Sequence, residues 1–301
     1  MKPSRRTFIR HSAIVLTGAS LIPRLSFDEK KRELVGIQLY SVRDDMKKDP
    51  MATLKEIAGM GYKNVEHANY VDRKFYGYSP VEFRKILDGL GMKMPSGHTV
   101  MGPQHWNDAK KGFTDLWKYT VEDAAIMGQQ YVISPSMDNR YRKSYDDLKS
   151  FTDIFNKSGE LCKKSGMKFG YHNHDFEFRE KLNGEMIYDI ILKNTDPDLV
   201  IQQLDTGNLY NGGVKAIDYV KKYPGRFASL HVKDEIIASG GQERYESTIL
   251  GTGIVNLKEV IDLVRKNSKH VHYIIEQESY QGKTPLDCAK EDLAIMKKWG
   301  H

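Results

Sequence analysis

Cysteine is nearly absent from this chain. Cys162 and Cys288 are the only two in 301 residues, and no CxxC pair occurs. That excludes a disulfide-stapled fold and a thiolate zinc knuckle. Both sit in helical-looking stretches and are not expected to pair. Long apolar runs are missing too. The longest, residues 13–22, is shorter than the roughly 20 residues that span a bilayer. There is no Pro/Gly/Ser-rich linker, no low-complexity tract, no glycine-rich phosphate cradle and no arginine clamp. An excess of one charge is also lacking once the N-terminus is set aside. The chain carries 46 basic and 40 acidic residues, formally +6. Five of the basic residues (Lys2, Arg5, Arg6, Arg10, Arg24) fall in 1–27, which has no acid, so 41 against 40 remain, a net +1. A near-neutral chain with scattered charges is not expected to bind nucleic acid.

The N-terminal 27 residues read as a targeting segment rather than part of the fold. Ser4-Arg5-Arg6-Thr7-Phe8-Ile9-Arg10 matches a twin-arginine export signal, and the apolar run 13–22 follows it. The expectation is passage through the twin-arginine translocase to the periplasm, with no stable membrane anchor. No cysteine follows the apolar run, so a lipid anchor is not expected, and no clear cleavage motif marks the mature start.

Residues 28–301 show a recurring alternation of strand and helix. Strands are expected at 34–39, 64–67, 93–96, 131–134, 168–171, 199–204, 227–230 and 271–275, with starts 28 to 44 residues apart. Each interval holds one helix and two loops, as a parallel crossover requires. Residues 50–61 place Leu54, Ile57 and Ala58 on one helical face and stop at Gly61. Ser79-Pro80 starts another helix with an N-cap and a first-turn proline, and 285–299 closes the chain. Eight such units predict a single (β/α)8 barrel. The Gly-rich stretch 234–255 reads as a top-face loop.

Four expected strands end in a metal-ligand residue: His172, Asp205, His231 and Glu276. Strand ends converging on one point are what the top face of such a barrel provides. Two imidazoles and two carboxylates form a nitrogen–oxygen set suited to one divalent transition metal. A lone histidine at a strand end is more often structural, and Asp205-Thr206-Gly207-Asn208 is also good turn chemistry. Four ligands in matching positions argue for a site. Glu278 is the alternative to Glu276 on the same strand face. His174 shares a face with His172, as a fifth ligand, a substrate donor or a supporting residue. Glu66 and His98 end strands two and three and are expected to point at substrate. Lys233 is expected to hydrogen-bond a sugar oxygen. Tyr40, Tyr70, Trp106 and Tyr210 are candidate pocket walls.

The chain resembles the xylose-isomerase-like barrel superfamily, in particular its sugar phosphate isomerase/epimerase branch. The likeness rests on Gly36–Arg43 (GIQLYSVR), Gly61–Glu66 (GYKNVE), Tyr171–Asp175 (YHNHD), Leu204–Asn208 (LDTGN), Leu230–Asp234 (LHVKD) and Ile275–Glu278 (IEQE). It implies a metal-dependent enzyme acting on sugars, inositols or related polyols. It also implies Mn2+ first, or Mg2+, Co2+ or Zn2+, held by residues of strands five to eight. In the usual isomerase two metal-bound glutamates face each other across the substrate. Here His172 stands at one of those positions and Glu276 alone remains, with Glu177 five residues further on as the only nearby substitute.

The chemistry that follows is proton abstraction from a carbon beside a carbonyl. A divalent cation stabilises the enolate, and Glu276, or a nearby histidine such as His174, takes the proton. Return of the proton elsewhere gives isomerisation or epimerisation, the first expectation. Expulsion of a group from the next carbon gives β-elimination of a 3-keto-glycoside, the runner-up. Export and the absent phosphate cradle point to an unphosphorylated sugar. An apurinic endonuclease of this fold would need a multi-zinc cluster and a basic groove; a non-catalytic sugar-binding barrel is the other competitor. Homo-oligomerisation is compatible with the sequence.

Overall fold

The computed structural model describes residues 32–240, 244–268 and 270–301. The twin-arginine-like segment 1–27 lies outside the described residues. Eight parallel strands close into a barrel: β1 (Arg32–Gln38), β2 (Asn64–His67), β3 (Lys93–His98), β4 (Tyr131–Ser134), β5 (Lys168–His172), β6 (Val200–Asp205), β7 (Phe227–Val232) and β8 (His270–Ile275). Each pairs with its sequence neighbours, and β8 returns to β1 with Arg32 opposite His270 and Ile37 opposite Ile275. The expected strands are all present. Several run one or two residues further at their C-terminal ends, so that His98, His172 and Asp205 are the last paired residues of their strands.

The helices between strands begin and end where the local chemistry dictates. Pro50–Met60 is capped by the Asp49 carboxylate on Ala52 N at 3.0 Å and stops at Gly61, whose φ of 105° suits a residue without Cβ. Pro80–Gly89 carries a full capping box between Ser79 and Glu82. Apolar faces of Tyr145–Lys163, Leu257–Asn267 and Pro285–Lys298 bury Phe151, Phe155, Val260, Val264, Leu293 and Met296 against the strands. Cys162 and Cys288 are both buried free thiols. No described helix is long and apolar enough to cross a membrane.

Four short antiparallel ribbons rise from the loops that follow β2, β3, β5 and β7. The last occupies the Gly-rich segment read as a loop: Asp234–Ile237 pairs with Tyr245–Thr248. Its far end is tied down by one carboxylate, since Asp234 accepts from the backbone N–H of Gly251, Gly253 and Val255 at 2.8, 3.1 and 3.1 Å. These insertions all lie at the C-terminal ends of the strands, where the barrel places its chemistry.

Candidate metal centre

His172, Asp205, His231 and Glu276 come together at the C-terminal ends of β5 to β8. One ligand atom from each lies within 4.8 Å of the others, and all four residues are buried. A second grouping, His98, His172 and His231, overlaps it. Asp205 is set by its turn: Oδ1 accepts from Gly207 N at 2.8 Å and Asn208 N at 2.9 Å. Gly207 must be glycine because a Cβ there would press on Glu235 Oε1 and stand 2.8 Å from Lys233 Cγ. The turn chemistry of Asp205 and its place in the cluster are thus one feature. Asp205 Oδ2 is buried without a hydrogen-bond partner, 3.8 Å from His172 Nε2 and 3.7 Å from Lys233 Nζ. Buried carboxylate oxygens are normally satisfied, and a divalent cation would satisfy this one. The residues present therefore fit such an ion.

Glu66 does not face substrate. It is fully buried, and its carboxylate is consumed inside the barrel by Gln38 Nε2 (2.8 Å), Ser96 Oγ (2.5 Å), Gln203 Nε2 (3.0 Å) and His231 Nε2 (2.6 Å). It corrects the expectation of a substrate contact: the side chain sits one layer below the cavity and fixes His231. With Nε2 on Glu66, His231 turns Nδ1 toward Glu276 Oε2 at 3.0 Å. A carboxylate behind a ligand histidine is the usual way its ring is oriented. Burial alone would lower the His231 pKa, but the two glutamates overcome it and lift the pKa to about 10. Burial would raise Glu66 and Glu276. His98 and His231 hold Glu66, and His231 and Lys233 hold Glu276, well below the usual carboxylate range.

Lys233 is buried, and its ammonium lies 3.2 Å from Glu278 Oε1, 3.1 Å from Asn208 Oδ1 and 3.7 Å from Glu276 Oε2. Those acids, with Asp205, more than offset burial and keep it charged. Burial, opposed by Lys233, pushes Asp205 up to about 6. His98 lines the cavity, with Nε2 2.7 Å from Gln203 Oε1 and 3.1 Å from Glu66 Oε1. His174 lines it as well. Burial and then the Lys233 charge lower its pKa to about 4, and its Nδ1 is buried without a hydrogen-bond partner. Glu177 does not substitute for the missing glutamate. It accepts from Tyr171 OH at 2.5 Å and His174 N at 2.9 Å, and so clamps the loop after β5. Burial raises it to about 7.

Gln203 is the hub that sequence reading missed. Besides Glu66 and His98 it reaches His172 Nδ1 at 3.1 Å and Ser229 Oγ at 3.0 Å. The pairing of β6 with β7 shifts register between Gln202 and Gln203, a kink of the kind that re-aims a side chain near a site. Its signal was available: two glutamines inside an otherwise apolar strand, one of them two residues before Asp205. Of the aromatic wall candidates, Tyr40 and Tyr70 line the cavity. Trp106 packs edge-on against Phe113, and Tyr210 hydrogen-bonds the carbonyl of Ile254.

With the barrel and this donor set described, comparison with known proteins fixes the lineage. A profile of the xylose isomerase-like TIM barrel matches residues 54–299. The chain belongs to that family. Two solved sugar phosphate isomerase/epimerases from Parabacteroides distasonis share the xylose isomerase-like fold closely. One is 25% identical with a TM-score of 0.75, over 89% of this chain and 94% of that one. The other is 27% identical with a TM-score of 0.73, over 89% and 98%. Inosose dehydratase of Clostridium tetani is 26% identical over 263 residues, 78% of this chain and 85% of that protein. The match to inosose dehydratase of Clostridium perfringens, 25% identical over 187 residues, spans only 58% of this chain and 61% of that protein. This member of the xylose isomerase-like family thus has an enzyme fold, with relatives named for both isomerisation and elimination.

Proposed function

We propose that this protein removes a proton α to a carbonyl in an unphosphorylated sugar or cyclic keto-polyol, with one divalent metal held by His172, Asp205, His231 and Glu276. The observation that carries the reading is the buried four-residue donor set with an orphaned Asp205 oxygen, two of whose members, His172 and Glu276, line a cavity of about 820 Å3. A divalent ion held there supplies Lewis acidity toward a carbonyl oxygen. Glu276 is tied to His231 and Lys233 and stays ionised, which suits a ligand more than a base. His174, neutral at pH 7 and with an uncommitted Nδ1, is the better proton carrier. Lys233 donates to the oxygen that gains charge. Glu66, Gln203 and Ser96 hold the histidines in place below.

The cavity lining supports an unphosphorylated substrate. It carries six carboxylates (Asp72, Asp175, Glu235, Glu246, Glu276, Glu278) and two cations, Arg73 and Lys233, both already paired. A phosphate would meet repulsion there. Export to the periplasm, proposed from Arg5-Arg6, agrees with that. Elimination moves ahead of isomerisation for two reasons. One carboxylate faces histidines where symmetric epimerisation uses two, and the Clostridium relatives are named dehydratases. Isomerisation is kept as the second reading because both Parabacteroides structures carry that name.

The test is incubation with a keto-inositol and a 3-keto-glucoside in D2O with Mn2+, followed by NMR. Deuterium at the α-carbon together with an unsaturated product is expected for elimination. Deuterated epimer without unsaturation selects isomerisation. No exchange with either compound, metal bound, overturns both.

A further inference from the structure

Large apolar side chains left exposed on this protein are not scattered. Eight are found among the described residues, and five of them (Tyr40, Val71, Val100, Leu116 and Tyr119) line the same cavity as His172, Lys233 and Glu276. They are between 40% and 60% exposed. Leaving such surface wet forgoes roughly 25 cal/mol per Å2, and a concentrated apolar patch marks a contact site. Because this patch is inside a concavity continuous with the donor cluster, its occupant is part of the bound ligand. Tyr40 comes from the turn after β1 and the other four from the β2 and β3 loops and the helix Asp115–Met127, away from the β5–β8 ends that would carry the metal.

The cation found there, Arg73, is already paired. Arg73 places its guanidinium 4.2 Å from the Tyr119 ring centre while its nitrogens hold Asp123 at 2.6 and 2.9 Å and Glu122 at 2.9 Å. It stiffens the tyrosine and offers no anion site. Asp72 and Arg73 adopt φ of 49° and 60° at the tip of the ribbon, a left-handed turn that glycine and asparagine usually fill. The chain accepts that strain where it positions Val71 and Arg73 on the cavity rim.

We propose that this compartment binds an uncharged, flat, apolar substituent, an aryl aglycone, of a sugar whose ring sits at the histidine–carboxylate end. It rests on the function proposed above and adds the substrate class: a glycoside with an aromatic aglycone. A cavity of about 820 Å3, near the upper end of the range of ~300–1,000 Å3 for drug-sized ligands, has room for both parts.

The test is calorimetric titration of the full-length, Mn2+-loaded protein with 4-nitrophenyl glucoside and with methyl glucoside of the same anomer. The aryl glucoside should bind roughly tenfold more tightly, an advantage set by the buried ring. Val71→Ser with Leu116→Ser, both at exposed positions, should reduce the affinity ratio to under about threefold, and Tyr119→Ser should reduce it independently. Equal affinities, a ratio untouched by either variant, or no binding of either glucoside overturns the proposal. An aryl preference without deuterium exchange leaves the compartment standing and sinks the chemistry; exchange without an aryl preference does the reverse.

Discussion

The two ends of the barrel each hold a cavity of comparable size, about 820 Å3 at the C-terminal ends of the strands and about 710 Å3 at the other. Their linings differ in kind. The lower one is walled by Leu34, Val35, Tyr62, Leu293, Lys63, Lys297 and three histidines, and among the described residues no carboxylate lines it. Its His272 ring, lowered to about 4 by burial, packs against Tyr131 with ring centres 4.7 Å apart. The upper one has six lining carboxylates and two members, His172 and Glu276, of the candidate metal cluster. Space is common to both ends; convergent donors of mixed nitrogen and oxygen type occur at one. The difference follows from the barrel's division of labour: the turns after the strands' C-terminal ends carry the chemistry, while the N-terminal face serves stability.

The sharpest way to break this comparison is Asp205→Ala. It should lower activity by about 10³-fold or more while far-UV circular dichroism stays that of the wild type, since the residue carries a turn and a ligand but no core. His174→Asn should lower activity by roughly 10²-fold, the size of a lost proton carrier, with the metal retained. That separates it from Glu276→Gln, where metal and activity fall together. Glu66→Gln should weaken metal binding by about 10- to 100-fold, as loss of a supporting carboxylate does, read by competition with a chelating dye. At the lower end, Lys297→Ala should change activity less than about twofold.

A buried carboxylate that lines neither cavity sharpens the comparison further. Asp292 is fully buried; Oδ1 accepts from Leu250 N at 2.9 Å while Oδ2 has no partner. Burial raises it from 3.8 to about 7. The folded state holds this proton more tightly than the unfolded chain, so stability is full below about pH 4 and falls as pH rises to about 7. Asp292→Asn removes that dependence and keeps the acceptor for Leu250. In urea with chelator present, the variant should gain about 2–4 kcal/mol over wild type at pH 8 and little at pH 4. Equal slopes against pH in both proteins would contradict the assignment.

The barrel was legible because its signals are local. Short β-branched runs at crossover spacing, Ser79-Pro80 and Gly61 mark strands and helix ends without reference to anything distant. The convergence of the four candidate ligands was legible for the same reason, each ending a run. The roles of Glu66 and Gln203 were not, since both depend on how far along the strand axis a side chain lies. Glu66 is the penultimate residue of β2 whereas His172 ends β5, and it lies inside the barrel, where it meets His231 from 165 positions away. The apolar compartment was illegible because Val71, Leu116 and Tyr119 look like ordinary surface residues until the β2 ribbon and a helix bring them to one wall.

The most direct test of the central claim is the Mn2+ stoichiometry of purified protein, read by inductively coupled plasma mass spectrometry after equilibrium dialysis, for wild type and Asp205→Ala side by side. About one ion per wild-type chain and almost none in the variant is the predicted result. Full occupancy in the variant, or none in the wild type, would contradict the assignment of His172, Asp205, His231 and Glu276 as the metal centre.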